Sequence, residues 1–397
     1  MLDNVPSQAD SDSKLISRAR SLAPVVGERA RECEALRRVP DQTIEDFHQA
    51  GLFRAIQPKR IGGSQVPFPV YFKMCSEIAR GCASSAWVLT NLASHHWMLT
   101  YWPVEAQDEV WGGSPDVLIA SGLAFPCGKA SKVAGGYRLT GKWPFSSGVD
   151  ASTWNMLGGI VASEGTKKSD QRLFLIPSDN YSIIDDWDAS GLKGSGSKSV
   201  ACEDIFVPVH RTVALEDIVA GEAPGLVANP GSLFRLPFFA MFPYVVGMVA
   251  LGAAKGALET YTNWNKHRVS RYTGAKISEL APVQLHLAEA SALAEAAERM
   301  FLHRCYEVTS MVEAGKQLGL ERRAEYRRDG AFATKLCVQS VDILFEGSGG
   351  NALYSDNAIQ RHFRDVHAAA GHFALSWDVS ATIYGQIHLG LPFKGNL

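Results

Sequence analysis

The sequence is poor in cysteine, and its cysteines form no recognisable pattern. The 397 residues contain seven of them, an odd number, and no C-x-x-C pair occurs. A disulfide framework needs cysteines that can pair off, and a zinc site needs closely spaced ligands. We therefore expect reduced thiols in the core and no metal centre.

An excess of charge of one sign is also lacking. The chain carries 39 Lys and Arg against 41 Asp and Glu, a net charge of −2, and these residues are scattered. We expect neither a basic surface for nucleic acid nor a polybasic membrane anchor. The stretch MLDNVPSQADSDSK lacks the hydrophobic segment of a secretory signal. These features predict a cytoplasmic protein that acts on a small organic compound.

Long hydrophobic runs are scarce as well. The most apolar one, FFAMFPYVVGMVALGAA, extends from Phe238 to Ala254. It is shorter than the roughly 20 residues of a membrane-spanning helix. Pro243 and Gly247 interrupt it. It predicts a buried helix of the protein interior.

Hydrophobic periodicity divides the chain into three parts. Apolar residues first recur at helical spacing, in stretches such as LISRARSLAPVVGERA. Short β-branched and aromatic runs separated by turn residues follow, and long Ala-rich helical segments complete the chain. The pattern predicts an α+β fold with an N-terminal helical domain (1–115), a central antiparallel β-domain (116–214) and a C-terminal helical bundle (215–397).

Histidines occur in two apolar stretches. In RDVHAAAGHFALSWD, His367 and His372 are five residues apart; a helix advances about 100° per residue, so they cannot share one face as a metal-binding pair would. In NLASHHWMLTYW, His95 and His96 are adjacent, so at most one of them faces a given pocket. At each position a hydrogen-bonded structural histidine is the alternative to a functional one.

Small residues gather in three turns. KWPFSSGVD ends a predicted strand with Ser146, Ser147 and Gly148, and GLKGSGSKSVACEDIFVP offers backbone amides to a ligand. EGSGGNALYSDNAIQRHFRD places glycines before a helix whose N-terminus could attract phosphate. Each turn alone is typical of an ordinary hairpin or loop, and none matches a P-loop or a dinucleotide fingerprint.

In combination these motifs carry a resemblance over nearly the entire chain. The chain resembles the acyl-CoA dehydrogenase fold in its order of helices, β-domain and helical bundle, with KWPFSSG and GLKGSGSKSVACEDIFVP in the β-domain and GSGGNALYSDNAIQRHFRDVHA in the bundle. Within that fold it is most similar to the flavin-dependent monooxygenases of two-component systems. The resemblance implies hydroxylation of an aromatic or polycyclic compound.

One departure separates these monooxygenases from the dehydrogenases. The dehydrogenases need a catalytic Glu, often placed after an Arg-Asp pair, but the stretch after Arg364 and Asp365 offers His367 and His372 and no Glu. Since that Glu is not always placed there, an acyl-CoA dehydrogenase with a relocated base remains an alternative. A catalytically silent flavin-binding subunit is the second alternative.

The resemblance also implies the partners and the chemistry. A separate NAD(P)H-dependent flavin reductase supplies FMNH2 or FADH2, O2 adds to flavin C4a, and the resulting hydroperoxide passes one oxygen atom to the substrate. The protein must exclude water from this adduct. The active unit is expected to be a homotetramer.

Individual residues match positions of the family. Ser146 matches the hydroxyl residue at flavin N5, and Ser121 matches a second serine near flavin and substrate. His95 matches a histidine facing the substrate, with His96 as its alternative. His372 matches a base toward a phenol.

Further matches concern substrate and cofactor binding. His367 is the alternative to His372, and Trp143 and Ser147 are expected beside the flavin. The basic stretch NKHRVSRYTGAKISE is expected to bind the flavin phosphate across a subunit boundary. The candidates for binding the phosphate are Arg268, Arg271 and Lys276 of this stretch. Gly349 and Gly350 of the glycine-rich turn are further candidates for cofactor binding.

Overall fold

The N-terminal part of the chain is helical. The computed structural model describes residues 8–162, 170–270 and 272–395, and within them six α-helices precede the first strand. They are α1 Gln8–Glu28, α2 Ala30–Leu36, α3 Asp41–Gln49, α4 Phe68–Gly81, α5 Ala83–Leu99 and α6 Val104–Gly113. Helix α5 is buried along its whole length, because α4, the β-domain and the C-terminal helices surround it.

A single sheet of eight strands follows in the described part of the chain. The strands are β1 Ile119–Gly122, β2 Gly128–Val133, β3 Gly136–Ser146, β4 Trp154–Val161, β5 Asp170–Pro177, β6 Ser182–Ile184, β7 Lys198–Pro208 and β8 Thr212–Ala214. Their order is β6-β7-β3-β2-β4-β5-β8, and β1 pairs with β4. The sheet is mixed rather than purely antiparallel as predicted, since both β1 and β2 run parallel to β4.

Helices return after the sheet, in the order that the sequence predicted. They are α7 Leu215–Ala220, α8 Phe238–His267, α9 Ala281–Glu313, α10 Leu320–Ser348, α11 Ala358–Ala370 and α12 Trp377–His388. Helix α8 lies at the centre and packs on α4, α10 and α11. It is long and apolar enough to cross a membrane, but 89% of its most apolar 18-residue window is buried within the protein. The buried helix is thus confirmed, although Pro243 does not interrupt it.

Glycine allows α8 to approach α4 closely. A Cβ atom at Gly252 would lie 2.3 Å from the Ala79 Cβ and 2.4 Å from the Ser76 carbonyl oxygen. Because these partners belong to the α4 backbone or are attached directly to it, they cannot rotate away. We expect Gly252→Ala to lower the free energy of unfolding by about 1–3 kcal/mol, measured by urea denaturation.

A second glycine provides the matched control for this prediction. Gly385 lies in α12, and a Cβ there would meet none of the described atoms within 4 Å. Gly385→Ala should therefore raise the free energy of unfolding by up to about 1 kcal/mol, because alanine favours the helix. Equal effects of the two substitutions would contradict the close packing of α4 and α8.

Candidate active site

One side of α5 faces the predicted site. Trp87, Asn91 and His95 are spaced at i, i+4 and i+8, so their side chains emerge within a sector of about 80°. All three are buried. The Asn91 side chain donates to the Trp87 carbonyl oxygen over 2.7 Å. Trp87 and His95 extend toward other elements, and their partners define the site.

His95 presents an unpaired acceptor. Its Nδ1 lies 2.5 Å from the backbone carbonyl oxygen of Ile119. A carbonyl oxygen only accepts, so Nδ1 carries the proton and Nε2 keeps its lone pair. Nε2 is buried and has no hydrogen-bond partner among the described residues. Burial lowers the pKa of His95 to about 4, so the ring is neutral at ordinary pH.

Ser121 lies on the strand that holds His95. It follows Ile119 by two residues in β1 and is half-buried. A Cβ at Gly122 would meet the Trp143 side chain at 2.8 Å, so Gly122 faces the interior of the β-domain. Ser121 therefore faces the opposite side, because successive residues of a strand alternate. Its hydroxyl points to the same side of β1 as the Ile119 side chain.

Ser146 ends β3 at an irregular position. The pairing of β3 with β7 shifts register between Trp143 and Ser146, and Phe145 has a φ of 65°, which is rare for a residue with a side chain. Ser146 is fully buried, and its Oγ accepts a hydrogen bond from Asn155 Nδ2 at 2.9 Å. Asn155 pairs with Ala120 in β1, so Ser146 lies beside the strand that carries Ser121.

Ser147 joins a chain of buried hydroxyls. Its Oγ accepts from the Trp87 indole nitrogen at 3.0 Å and lies 2.8 Å from Ser197 Oγ. Ser197 Oγ lies 2.7 Å from Ser195 Oγ. The sequence suggested that GLKGSGSKS offers backbone amides, but its serines contribute side-chain hydroxyls.

His372 faces the same region from the turn after α11. Its ring lies edge-on to Trp87 and Phe242, with centroid distances of 5.7 and 5.6 Å. Nδ1 accepts a hydrogen bond from the Ala374 amide at 3.2 Å, so the neutral ring carries its proton on Nε2. Burial lowers its pKa to about 4. In this arrangement His372 offers a donor at Nε2, and its role as a base, which the resemblance implied, stays a prediction.

The two alternative histidines lie elsewhere. His96 is fully buried, its Nδ1 accepts from the Trp111 indole nitrogen at 3.0 Å, and the two rings stack. Burial lowers its pKa to about 3, so the ring is neutral at ordinary pH. His367 is exposed on α11 and pairs with Asp342 of α10 at 2.8 Å. Neither residue joins Ser146 and His95, because each is turned toward another partner.

Trp143 packs inside the β-domain, and its place beside the flavin stays a prediction. Its indole nitrogen donates to the Gly158 carbonyl oxygen at 2.6 Å, and the residue is fully buried. The side chain covers Gly122, Gly128 and Gly141, where a Cβ atom would meet it. These contacts make Trp143 part of the core of the β-domain, with its polar atom already satisfied.

Only part of the candidate phosphate site lies within the described residues. The Arg268 guanidinium lies 4.2 Å from the Trp264 ring centroid. Burial raises the pKa of the nearby Tyr261, an effect that Arg268 opposes. Within the described part of the chain the Tyr261 hydroxyl is buried without a partner, and it would lie 3.0 Å from a Cβ at Gly347. Arg271 lies outside the described residues.

The other candidates of this group are more exposed. Gly349, with a φ of 60°, and Gly350 follow α10, and a Cβ at either would meet no atom of the described residues within 4 Å. Arg268 lies near Tyr261, and the Tyr261 hydroxyl lies beside Gly347 of α10, so Arg268 is close to this end of the helix. Lys276 pairs with Glu279 at 3.7 Å on the surface.

Comparison with known proteins places this geometry in a family. Family models described as "Acyl-CoA dehydrogenase, N-terminal domain" and "Acyl-CoA dehydrogenase, C-terminal domain" match residues 13–112 and 244–377. The chain is 35% identical to oxygenase subunit HsaA of a flavin-dependent monooxygenase from Rhodococcus jostii, over 96% of this chain and 100% of that protein. It is 33% identical to the oxygenase component of an FADH(2)-dependent resorcinol hydroxylase from Rhizobium sp., over 98% and 97%.

A solved structure agrees with these relatives. XiaF from Streptomyces sp., in complex with FADH2 and glycerol, has a TM-score of 0.91 and 25% identity, with 98% of each chain covered. The monooxygenase relatives match nearly the full chain, including the β-domain that lies between the two family-model matches. The resemblance seen in the sequence is confirmed. The chain belongs to the flavin-dependent monooxygenases with the acyl-CoA dehydrogenase fold, as an oxygenase component that uses reduced flavin and O2.

Proposed function

We propose that this oxygenase component hydroxylates a phenolic or related aromatic compound. It receives FMNH2 or FADH2 from a separate NAD(P)H-dependent flavin reductase and places one oxygen atom of O2 on the substrate. One observation carries the proposal. His95, whose Nε2 is an unpaired acceptor among the described residues, bonds to Ile119 of β1. Ser146 bonds to Asn155 of β4, the strand that pairs with β1. A phenol offers the proton that such an acceptor needs.

The polar groups of the site fit a reduced flavin. The Ser146 hydroxyl already accepts from Asn155, so its proton can be donated to a flavin nitrogen. Gly349 and Gly350 leave open space beside the end of α10, and Arg268 supplies a charge suited to a phosphate. When bound, the reduced flavin supplies the activation of O2. The protein supplies orientation and exclusion of water.

The surroundings of His372 favour a flat substrate. Trp87, Phe242 and Phe373 all lie against its ring, which gives an aromatic wall with one polar donor. We assign His372 the role of orienting the substrate through Nε2–H. We assign His95 the role of accepting the phenolic proton, because its Nε2 is the free acceptor.

We further propose that the active unit is a homotetramer in the cytoplasm. Large apolar side chains are exposed along the C-terminal part of the chain, which favours assembly. They include Tyr272, Leu285, Leu353, Tyr354 and Phe373. A second copy would bring its Arg268 toward the flavin phosphate. Light scattering of the purified protein tests the assembly.

The reaction is tested by single turnover. Protein loaded anaerobically with photoreduced FMN or FAD is mixed with ¹⁸O2 and a panel of phenols and indoles. We expect one labelled oxygen atom in the product of at least one compound, together with less H2O2 than in its absence.

The rival functions give different results in the same assay. Full release of H2O2 with every compound would overturn the proposal. Bleaching of bound oxidised FAD by an acyl-CoA, without O2 or reductase, would then identify a dehydrogenase. Neither reaction is expected of a silent flavin-binding subunit.

A further inference from the structure

Two consecutive serines are held by different buried donors. Ser146 Oγ accepts from Asn155 Nδ2 at 2.9 Å, and Ser147 Oγ accepts from the Trp87 indole nitrogen at 3.0 Å. Both serines are buried, and each N–H occupies one lone pair of its hydroxyl oxygen. A hydroxyl held in this way turns its own proton away from the donor.

The two hydroxyl protons have different surroundings. Ser147 has a neighbouring hydroxyl, Ser197, at 2.8 Å that can take its proton. Among the described residues Ser146 has no acceptor for its proton, only the Asn155 donor. Ser146 is therefore the member of the pair whose proton is free for a bound molecule.

Asn155 is an unusual residue for its position. It is fully buried in β4, where its neighbours Met156 and Leu157 are apolar. Among the described residues its Oδ1 has no hydrogen-bond partner. The Tyr181 hydroxyl lies near the amide, which opposes the rise that burial causes in the pKa of Tyr181. A buried amide with one unsatisfied atom is destabilising, so packing alone does not explain an asparagine at this position.

We propose that Asn155 is a positioning residue that makes the Ser146 hydroxyl a donor toward the flavin. This inference rests on the proposed function, in which Ser146 donates to the reduced cofactor. If the amide were rotated by 180°, Oδ1 would accept the Ser146 proton and no proton would be left for the flavin. The orientation of one buried amide thus determines whether the oxygen taken up is coupled to product.

The test exchanges the donor for an acceptor of the same shape. Asn155→Asp places a carboxylate beside Ser146, so the hydroxyl proton should turn toward it. We expect Asn155→Asp to reproduce Ser146→Ala: product per O2 consumed falls by up to about tenfold and H2O2 rises correspondingly, as for the loss of one hydrogen bond. Asn155→Leu, which removes the donor without adding an acceptor, should have a smaller effect.

A spectroscopic measurement distinguishes positioning from structural damage. The visible absorption spectrum of bound oxidised flavin should shift equally in Asn155→Asp and Ser146→Ala, with no further shift in the double variant. Asn229→Asp is the matched control, because Asn229 is also buried but bonds to Gln107 and Arg60. It should retain the wild-type spectrum and coupling.

The outcomes separate this inference from the proposed function. A wild-type spectrum and coupling in Asn155→Asp, with both changed in Ser146→Ala, would overturn the role of Asn155. Identical spectra in wild type, Ser146→Ala and Asn155→Asp would overturn it too. Failure of the wild type to hydroxylate any compound contradicts only the proposed function. Equal spectral shifts in Asn155→Asp and Ser146→Ala would still show that Asn155 acts through Ser146.

Discussion

Replacing His95 by asparagine should lower the turnover of a phenolic substrate by about 10²–10⁴-fold, the usual contribution of a general base. The asparagine amide can still donate to the Ile119 carbonyl oxygen, as His95 Nδ1 does at 2.5 Å. It has no acceptor where Nε2 lies, so the phenolic proton has nowhere to go. The measurement is product formed per second at saturating substrate and reduced flavin, with flavin affinity expected to change by less than about threefold.

The adjacent histidine is the control. His96 is as deeply buried as His95, but its free nitrogen is Nε2–H, since Nδ1 accepts from Trp111. His96→Gln should lower stability and leave the turnover of the folded protein within about threefold of wild type. Loss of turnover in His96→Gln but not in His95→Asn would show that the proton positions are assigned to the wrong residues.

The substrate provides a second check on His95. A compound without an ionisable hydroxyl, such as an indole, gives Nε2 no phenolic proton to accept. His95→Asn should therefore slow the oxygenation of such a compound much less than that of a phenol. Equal losses with both substrates would reduce His95 to an orienting residue. Because burial holds its pKa at about 4, turnover should show no titration of His95 above about pH 5.5.

The sequence could limit how many of the histidines face the site, but it could not show which ones do. The angle of about 100° between His95 and His96 indicated that only one faces a given pocket. Which one does so depends on the Ile119 carbonyl and the Trp111 indole, which other elements supply. The base assigned to His372 had the same weakness, because its proton position depends on the Ala374 amide.

The fold was predictable where local patterns determine it. Alternating and helical periodicities indicated the order of helices, strands and helices, and the resemblance gave its arrangement. The parallel pairing of β1 and β2 with β4 could not be derived in this way, since register and direction come from distant residues. Asn155 is visible in the sequence as the single amide of the otherwise apolar stretch WNMLGGIV. Its partner Ser146 became clear only in the folded sheet.

Acid should begin to destabilise this protein at a pH above the usual range of carboxylate titration. Burial lowers the pKa of His95 and His372 to about 4 and of His96 and His362 to about 3. In the unfolded chain all four titrate near 6.5. Between about pH 6.5 and 4 the unfolded chain therefore binds more protons, and stability present above pH 6.5 is lost as the pH falls. Asp365 acts in the opposite direction, because burial raises its pKa to about 7.

Four histidines against one aspartate leave a difference of about three protons for these five groups, which corresponds to a loss of about 4 kcal/mol for each pH unit between about pH 6 and 4. A free energy of unfolding of about 5 kcal/mol, at the low end of the usual range, would then vanish near pH 5. Urea denaturation at closely spaced pH values measures this slope. His362→Gln should reduce the slope by about 1.4 kcal/mol per pH unit and Asp365→Asn should increase it by a similar amount. A stability that stays constant from pH 6.5 to 5 would contradict the burial of neutral histidines, including the neutral state required of His95 as a proton acceptor.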